Sequence, residues 1–338
     1  MFGLDLPARP AFTGALTRGK GGSHTHMTRQ RGRWRDAAFG LTVFLAAIAP
    51  VERAGAQDEP AHFHHVHLNV VDPDATIQFY RRYFSAVPIQ YRQRAPALLT
   101  DRSFLLLTKV ETRAPKLERT ALWHIGWGGV DGPAEFEYRQ KAGLRFETPV
   151  TPLGNQYYFY VYGPDDEVVE VWTGFHHNRF GHVHLFADDV NATARWYKEW
   201  LLLEGHRRDV PKPTATPSPD WRPGDMSIFA TLWTTQVMTP NCTINIFGKP
   251  GPEKVVWWPY EPIVDFEPTD GHVIDHIAFS FRKIDPVLAR MRQAGVEIVD
   301  EPRLRSEYGM RSFFVRGPDK VLVEIVEERP LPDGVWDE

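Results

Sequence analysis

Fourteen histidines stand against a single cysteine, Cys242, so any metal held by this chain must be held through nitrogen and oxygen. Six residues fall in a pattern that suits such chemistry. The tetrapeptide HVHL occurs twice, at His65–Leu68 and His182–Leu185. Downstream of each copy come one more strand histidine and one strand glutamate: His124 and Glu170 after the first, His276 and Glu324 after the second. Two imidazoles and one carboxylate leave coordination positions open, as in the facial triads of non-haem Fe(II) sites; Zn²⁺ and Mn²⁺ use similar sets. The order along the chain suggests one triad per half, His65–His124–Glu170 and His182–His276–Glu324.

The elements that would position these residues repeat. Each HVHL is followed by an acidic cap and an aromatic helix, NVVDPDATIQFYRRYF and FADDVNATARWYKEWL. Asp72 and Asp189 are placed to cap, and Pro73 to occupy the first helical turn. A second unit also occurs twice, Trp123–Pro149 and Asp275–Pro302. It reads as a strand, a helix started by Pro133 or Pro286 and stopped by Gly143 or Gly295, and another strand. Each copy ends on a hairpin whose turn is Gly-Pro-Asp, Tyr158–Trp172 and Ser312–Val326. The expected fold class is α+β, with strand–helix–strands repeated four times and the halves dividing near residue 174. His65 and His124 are 59 residues apart, whereas His182 and His276 are 94 apart. The surplus lies at about 205–271, a Pro- and Trp-rich insertion (Trp221, Trp233, Trp257, Trp258) expected to be an ordered lid or interface loop.

These residues resemble the vicinal oxygen chelate superfamily, which includes glyoxalases, bleomycin-resistance proteins and extradiol dioxygenases. The resemblance rests on the H-x-x-L-x-V-x-D…FY opening (His65, Leu68, Val70, Asp72, Phe79, Tyr80) and on the closing motif at Pro164–Glu170 and Pro318–Glu324. It implies βαβββ modules, two of which curl together into one metal-holding half-barrel, giving two such domains at 57–174 and 175–338. It also implies that the opening histidines and closing glutamates bind a divalent metal, with Fe(II) favoured and Zn or Mn as alternatives. Glyoxalase-like sites take a His and a Glu or Gln from each module, but Ser103–Val110 and Thr243–Gly248 contain neither. The remaining His, His, Glu set looks like the extradiol arrangement, which points to the C-terminal triad as the working one. His67 and His184 share a strand face with their ligand neighbours, roughly 7 Å further on. His184 is a candidate acid/base group, Tyr308 a hydrogen-bond donor to substrate, and Arg311 a partner for a substrate carboxylate, with Tyr157 matching Tyr308 in the first half. His62 and His64 read as a frayed strand start.

The expected partner is a small molecule with vicinal oxygens, to which the aromatic residues around the motifs add an aromatic character; oligomerisation is left open. The competing readings are a glyoxalase-like lyase or isomerase and a non-catalytic small-molecule-binding module. A net charge of −4 without a basic block in the body argues against nucleic acid. Residues 1–56 carry eight Lys/Arg and three Asp/Glu. Arg29–Arg35, the apolar run Ala37–Val51 and Ala54-Gly55-Ala56 follow the order of a secretory signal peptide, with Met27 as the better initiator. The chain is therefore expected to be exported, cut before Gln57, without stable membrane insertion afterwards.

Overall fold

The computed structural model describes residues 59–115, 119–215, 218, 220, 225–250 and 262–328. The leader at 1–56 with Met27, and Trp221, Trp257 and Trp258 of the insertion, lie outside the described residues.

Four βαβββ modules follow one another. The first comprises β1 (His62–Val70), α1 (Pro73–Phe84), β2 (Val87–Tyr91), β3 (Ala95–Leu99) and β4 (Phe104–Lys109). The second comprises β5 (Leu122–Gly129), α2 (Gly132–Lys141), β6 (Thr151–Leu153), β7 (Gln156–Tyr162) and β8 (Val168–Thr173). The third comprises β9 (Phe180–Ala187), α3 (Val190–Leu201), β10 (Glu204–Gly205), β11 (Thr234–Met238) and β12 (Thr243–Gly248). The fourth comprises β13 (Ile274–Phe281), α4 (Asp285–Gln293), β14 (Ile298–Arg305), β15 (Met310–Arg316) and β16 (Leu322–Glu327).

Local chemistry explains the helices. The Asp72 carboxylate accepts from the Asp74 and Ala75 amides at 3.1 Å, and Asp189 accepts from Asn191 at 2.9 Å and Ala192 at 3.0 Å. Each thereby satisfies amides that the first turn leaves without partners. On α1 the residues Ile77, Tyr80 and Phe84 are buried; on α3 they are Val190, Ala194, Tyr197 and Leu201. Gly143 and Gly295, just past α2 and α4, have φ of +79° and +76°, a region open to glycine at no steric cost.

The sheets pair the modules differently from their order in the chain. One sheet runs β14-β15-β16-β13-β1-β4-β3-β2, joining the fourth module to the first. The other runs β10-β11-β12-β9-β5-β8-β7-β6, joining the third to the second. At each centre two opening strands lie antiparallel, β1 on β13 and β5 on β9. The expected pairing of adjacent modules within each half, 57–174 and 175–338, is therefore corrected: each sheet takes one module from either side of residue 174. Connection lengths give the physical reason. Only residues 174–179 link β8 to β9, which keeps the middle modules side by side. The longer links at 110–121 and 249–273 let the outer modules meet each other.

Candidate metal centres

The crossed pairing redistributes the six proposed ligands. The expected triads, His65–His124–Glu170 and His182–His276–Glu324, do not form. Each opening histidine instead meets the His and Glu of the other half.

In the first centre, β1 supplies His65, β13 supplies His276 and β16 supplies Glu324. The His65 and His276 Nε2 atoms are 3.4 Å apart. Glu324 Oε2 is 3.3 Å from His65 Nε2 and 3.4 Å from His276 Nε2. Ligand atoms bound about 2.1 Å from one ion, at angles of roughly 90–109°, stand ~3.0–3.4 Å apart, so this triangle has the size a divalent metal requires. All three residues are buried. The His67 ring stacks on His276 with centroids 4.5 Å apart, and its Nε2 lies 2.7 Å from Thr108 Oγ1.

In the second centre, β5 supplies His124, β8 supplies Glu170 and β9 supplies His182. Glu170 Oε2 is 3.3 Å from His124 Nε2 and 2.6 Å from His182 Nε2. His184 Nε2 is 3.9 Å from the same oxygen and 2.7 Å from Asn245 Nδ2. The His184 ring lies between His124 and Phe247, at centroid distances of 4.3 and 5.0 Å.

The protonation states suit metal binding. Burial holds His65, His124 and His184 below the ordinary imidazole range, and the neighbouring imidazoles push the same way. Burial and His276 bring His67 down to about 3. These rings are neutral at physiological pH and keep a lone pair for coordination. Burial opposes the charge on Glu170, but hydrogen bonds from His124 and His182 outweigh it and lower its pKa. Glu324 is likewise lowered, by His276 and Ser312, against burial. Burial also works against a charge on His276, yet Asp275 and Glu324 prevail and raise it to about 9. A metal held by the first centre would have to displace a proton from His276.

Neither centre gains a fourth ligand from the strand beside its opening histidines. Leu106 stands opposite His67, and Asn245 opposite His184. Each centre holds the His, His, Glu set, and a further imidazole stands within ligand reach: His184 at the second centre, and His67 beside His65 and His276 at the first.

His182 of the second centre is partly exposed, whereas the three ligands of the first are buried. A cavity of about 840 Å³ adjoins the second one. His182, His184 and Asn245 form part of its wall, and Phe229 of the insertion, Phe247 and Arg179 also line it. Phe229 lies on a short 3₁₀ helix, Met226–Thr231, so the insertion lines the cavity beside the second centre.

Of the three non-ligand residues expected in catalysis, His184 lies at the second centre. Tyr308 lies at the first: its ring meets His67 edge-on at 5.7 Å, and its hydroxyl donates to the Leu107 carbonyl at 3.2 Å. Arg311 reaches neither centre and is corrected. It pairs with Asp285 of α4 at 2.5 Å and with Glu327 at 3.2 Å. Strand parity is the reason: Ser312 and Phe314 face the metal ligands on β15, so Arg311 faces the helix. The same parity turns Tyr158 and Tyr160, opposite Trp172 and Glu170, toward the second centre rather than Tyr157. The reading of His64 as part of a frayed strand start is corrected. His64 is fully buried, not frayed, because a bulge between Phe63 and His65 turns it inward.

Comparison with known proteins agrees with this architecture. Residues 179–325 match the Glyoxalase/Bleomycin resistance protein/Dioxygenase superfamily. No curated protein matches the chain. Glyoxalase I from Zea mays superposes with a TM-score of 0.59 at 13% identity, covering 79% of this chain and 92% of that one. A putative dioxygenase from Bacillus subtilis superposes with a TM-score of 0.52 at 12% identity, covering 81% and 87%. At such identities the likeness is one of fold. Over residues 179–325 the chain is similar to the glyoxalase/bleomycin resistance/dioxygenase superfamily, and its described residues have the paired-module fold of glyoxalase I.

Proposed function

We propose that the protein is a metal-dependent enzyme of extradiol-dioxygenase type, with His124, Glu170 and His182 as its working centre. The observation that carries this reading is the 840 Å³ cavity bordered by His182 and His184. The C-terminal set favoured by the sequence is not an available centre, because its members are split between the two sheets.

A bound divalent metal would chelate two vicinal oxygens of the substrate and act there as Lewis acid and template. The chain's own groups do the rest. Trp123 and Tyr160 pack on His124, at centroid distances of 4.2 and 5.0 Å, and exclude water from its inner side. Phe229 and Phe247 offer apolar walls to a planar ring. His184 Nε2 lies 2.7 Å from Asn245 Nδ2, which fixes the ring on the cavity wall, and a substrate hydroxyl that displaced the amide would meet that nitrogen as a proton acceptor. A lyase or isomerase is the second reading, favoured by that same imidazole, since proton transfer beside a metal needs no oxygen.

The test is oxygen uptake with catechol-type substrates after Fe(II) loading, in air and under nitrogen. Glu170→Gln should abolish turnover and Glu324→Gln should not. Turnover unchanged by Glu170→Gln refutes the assignment; turnover equal under nitrogen refutes the oxygenase and supports the lyase. We also infer export, on the order of the leader: intact mass of the exported chain should place its first residue near Gln57, and a retained 27–56 segment refutes it. Among the described residues no helix is long and apolar enough to cross a membrane.

A further inference from the structure

The two centres share their ligands but not what stands behind them. At the first centre every ligand is held from outside. His65 Nδ1 is 2.7 Å from His64 Nδ1, and His64 Nε2 is 2.9 Å from Glu328 Oε2. Tyr91 donates its hydroxyl to the same Glu328 oxygen, and Arg92 Nε donates to the other at 3.2 Å. His276 Nδ1 lies 2.5 Å from Asp275 Oδ1, whose second oxygen accepts from the Gly271 amide at 2.7 Å. Glu324 Oε1 accepts from Ser312, which itself accepts from Arg305 Nε at 2.9 Å.

At the second centre the corresponding places are empty of such groups. FHHVHL of β1 reads FGHVHL in β9, so Gly181 stands where His64 does. Four residues past the ligand glutamate, Glu328 is matched by Gly174. Before the ligand histidine, Asp275 is matched by Trp123. Tyr160 faces Glu170 as Phe314 faces Glu324, which sets Tyr158 where Ser312 is. The His124 and His184 Nδ1 atoms are buried and have no hydrogen-bond partner among the described residues.

Arg92 and Tyr91 both donate to Glu328, so it is an acceptor and His64 presents Nε2–H to it. The His64 Nδ1–His65 Nδ1 contact then ties the His65 ring to that carboxylate, with His65 Nε2 facing His276 and Glu324. An imidazole so held is oriented before any metal arrives. The bulge at His64 creates this contact, since neighbours on a regular strand point to opposite faces.

We propose that His64 and Glu328 are positioning residues for His65, and that they make His65–His276–Glu324 the tighter of two unequal metal sites. The proposal rests on the reading that both clusters bind a divalent metal. It assigns holding to the buried site and turnover to the one open to the cavity.

Co²⁺ titration of the purified chain, with a competing chelator and no substrate, tests it apart from any activity. Two ions should bind with unequal affinity. Glu324→Gln should remove the tight ion and Glu170→Gln the weak one. Glu328→Gln and His64→Leu should each weaken the tight ion by about 10–100-fold and leave the weak one unchanged. In the Co²⁺ protein, the exchangeable His65 Nδ1–H resonance should persist in the parent and be lost to solvent exchange in His64→Leu. If His64→Leu does not fold, the near-isosteric Glu328→Gln decides. Loss of the tight ion in Glu170→Gln, or a tight-ion affinity within twofold of the parent in folded Glu328→Gln, overturns the proposal. Failure of the oxygen-uptake assay with this ranking intact overturns only the proposed reaction.

Discussion

Substituting Gly126 by alanine separates the two centres with one methyl group. Gly126 stands between two ligands of the second centre, opposite Glu170 on β8 and His182 on β9. A Cβ built there would lie 1.9 Å from His182 Nε2 and 2.1 Å from its Cε1. Ordinary van der Waals contact needs about 3.4 Å, so the ring must retreat by roughly 1.5 Å. Metal ligation tolerates about 0.2 Å, so a retreat of that size removes His182 from the coordination sphere. What moves is the end of a side chain that is partly open to the cavity, so the sheet itself need not shift. Gly126→Ala should therefore lower Co²⁺ stoichiometry from two ions to one, abolish turnover and leave thermal stability close to the parent's. The reverse exchange at the first centre is the control. Ala278, opposite His65 and Glu324, already carries a Cβ that His65 clears, so Ala278→Gly should keep both ions. Two ions and full turnover in Gly126→Ala would show that His182 has another rotamer equally good for ligation, and would refute the reasoning.

Other outcomes follow from single contacts. Glu167 is fully buried beneath the turn before β8, accepting from the Tyr80 hydroxyl at 2.8 Å and the Asp165 amide at 3.0 Å. Burial raises its pKa from 4.5 to about 7 despite those hydrogen bonds. Its contribution is complete below pH 4.5 and is lost as pH rises toward 7, by roughly 3 kcal/mol. The stability gain of Glu167→Gln over the parent should thus grow across that window in denaturant titrations; a difference independent of pH would contradict it. Asn241, in the turn between β11 and β12, ties the two sheets: it accepts from the Phe63 amide at 3.0 Å and donates to the Phe63 carbonyl at 2.8 Å and the Arg102 carbonyl at 2.6 Å. Asn241→Ala strands buried backbone groups and should cost about 2–4 kcal/mol, seen as a lower melting temperature; an unchanged melt would mean the turn repacks.

The sequence by itself determined the parts. Caps, prolines and stop glycines act over a few residues, so Asp72, Asp189, Gly143 and Gly295 announced the helices that the fold contains. Alternation over five to eight residues announced the strands, and the absence of Glu or Gln from β4 and β12 left a His, His, Glu donor set. Those signals are local, because hydrogen bonding and burial within one element fix them.

Tertiary structure decided which parts meet. His65 and His276 are 211 positions apart. Their contact depends on two opening strands choosing each other across the chain, which no periodicity encodes. The short link at 174–179 binds the middle modules and leaves the outer two to pair, and that choice converts two expected triads into two different ones. Strand parity then removed Arg311 from the chemistry, by a single residue's shift between faces. A bulge did the opposite for His64, turning an apparent strand-end residue into the support of a ligand. Bulges and pairings are settled by the neighbouring strand and not by the strand itself, and for that reason they became visible only when both strands were in place.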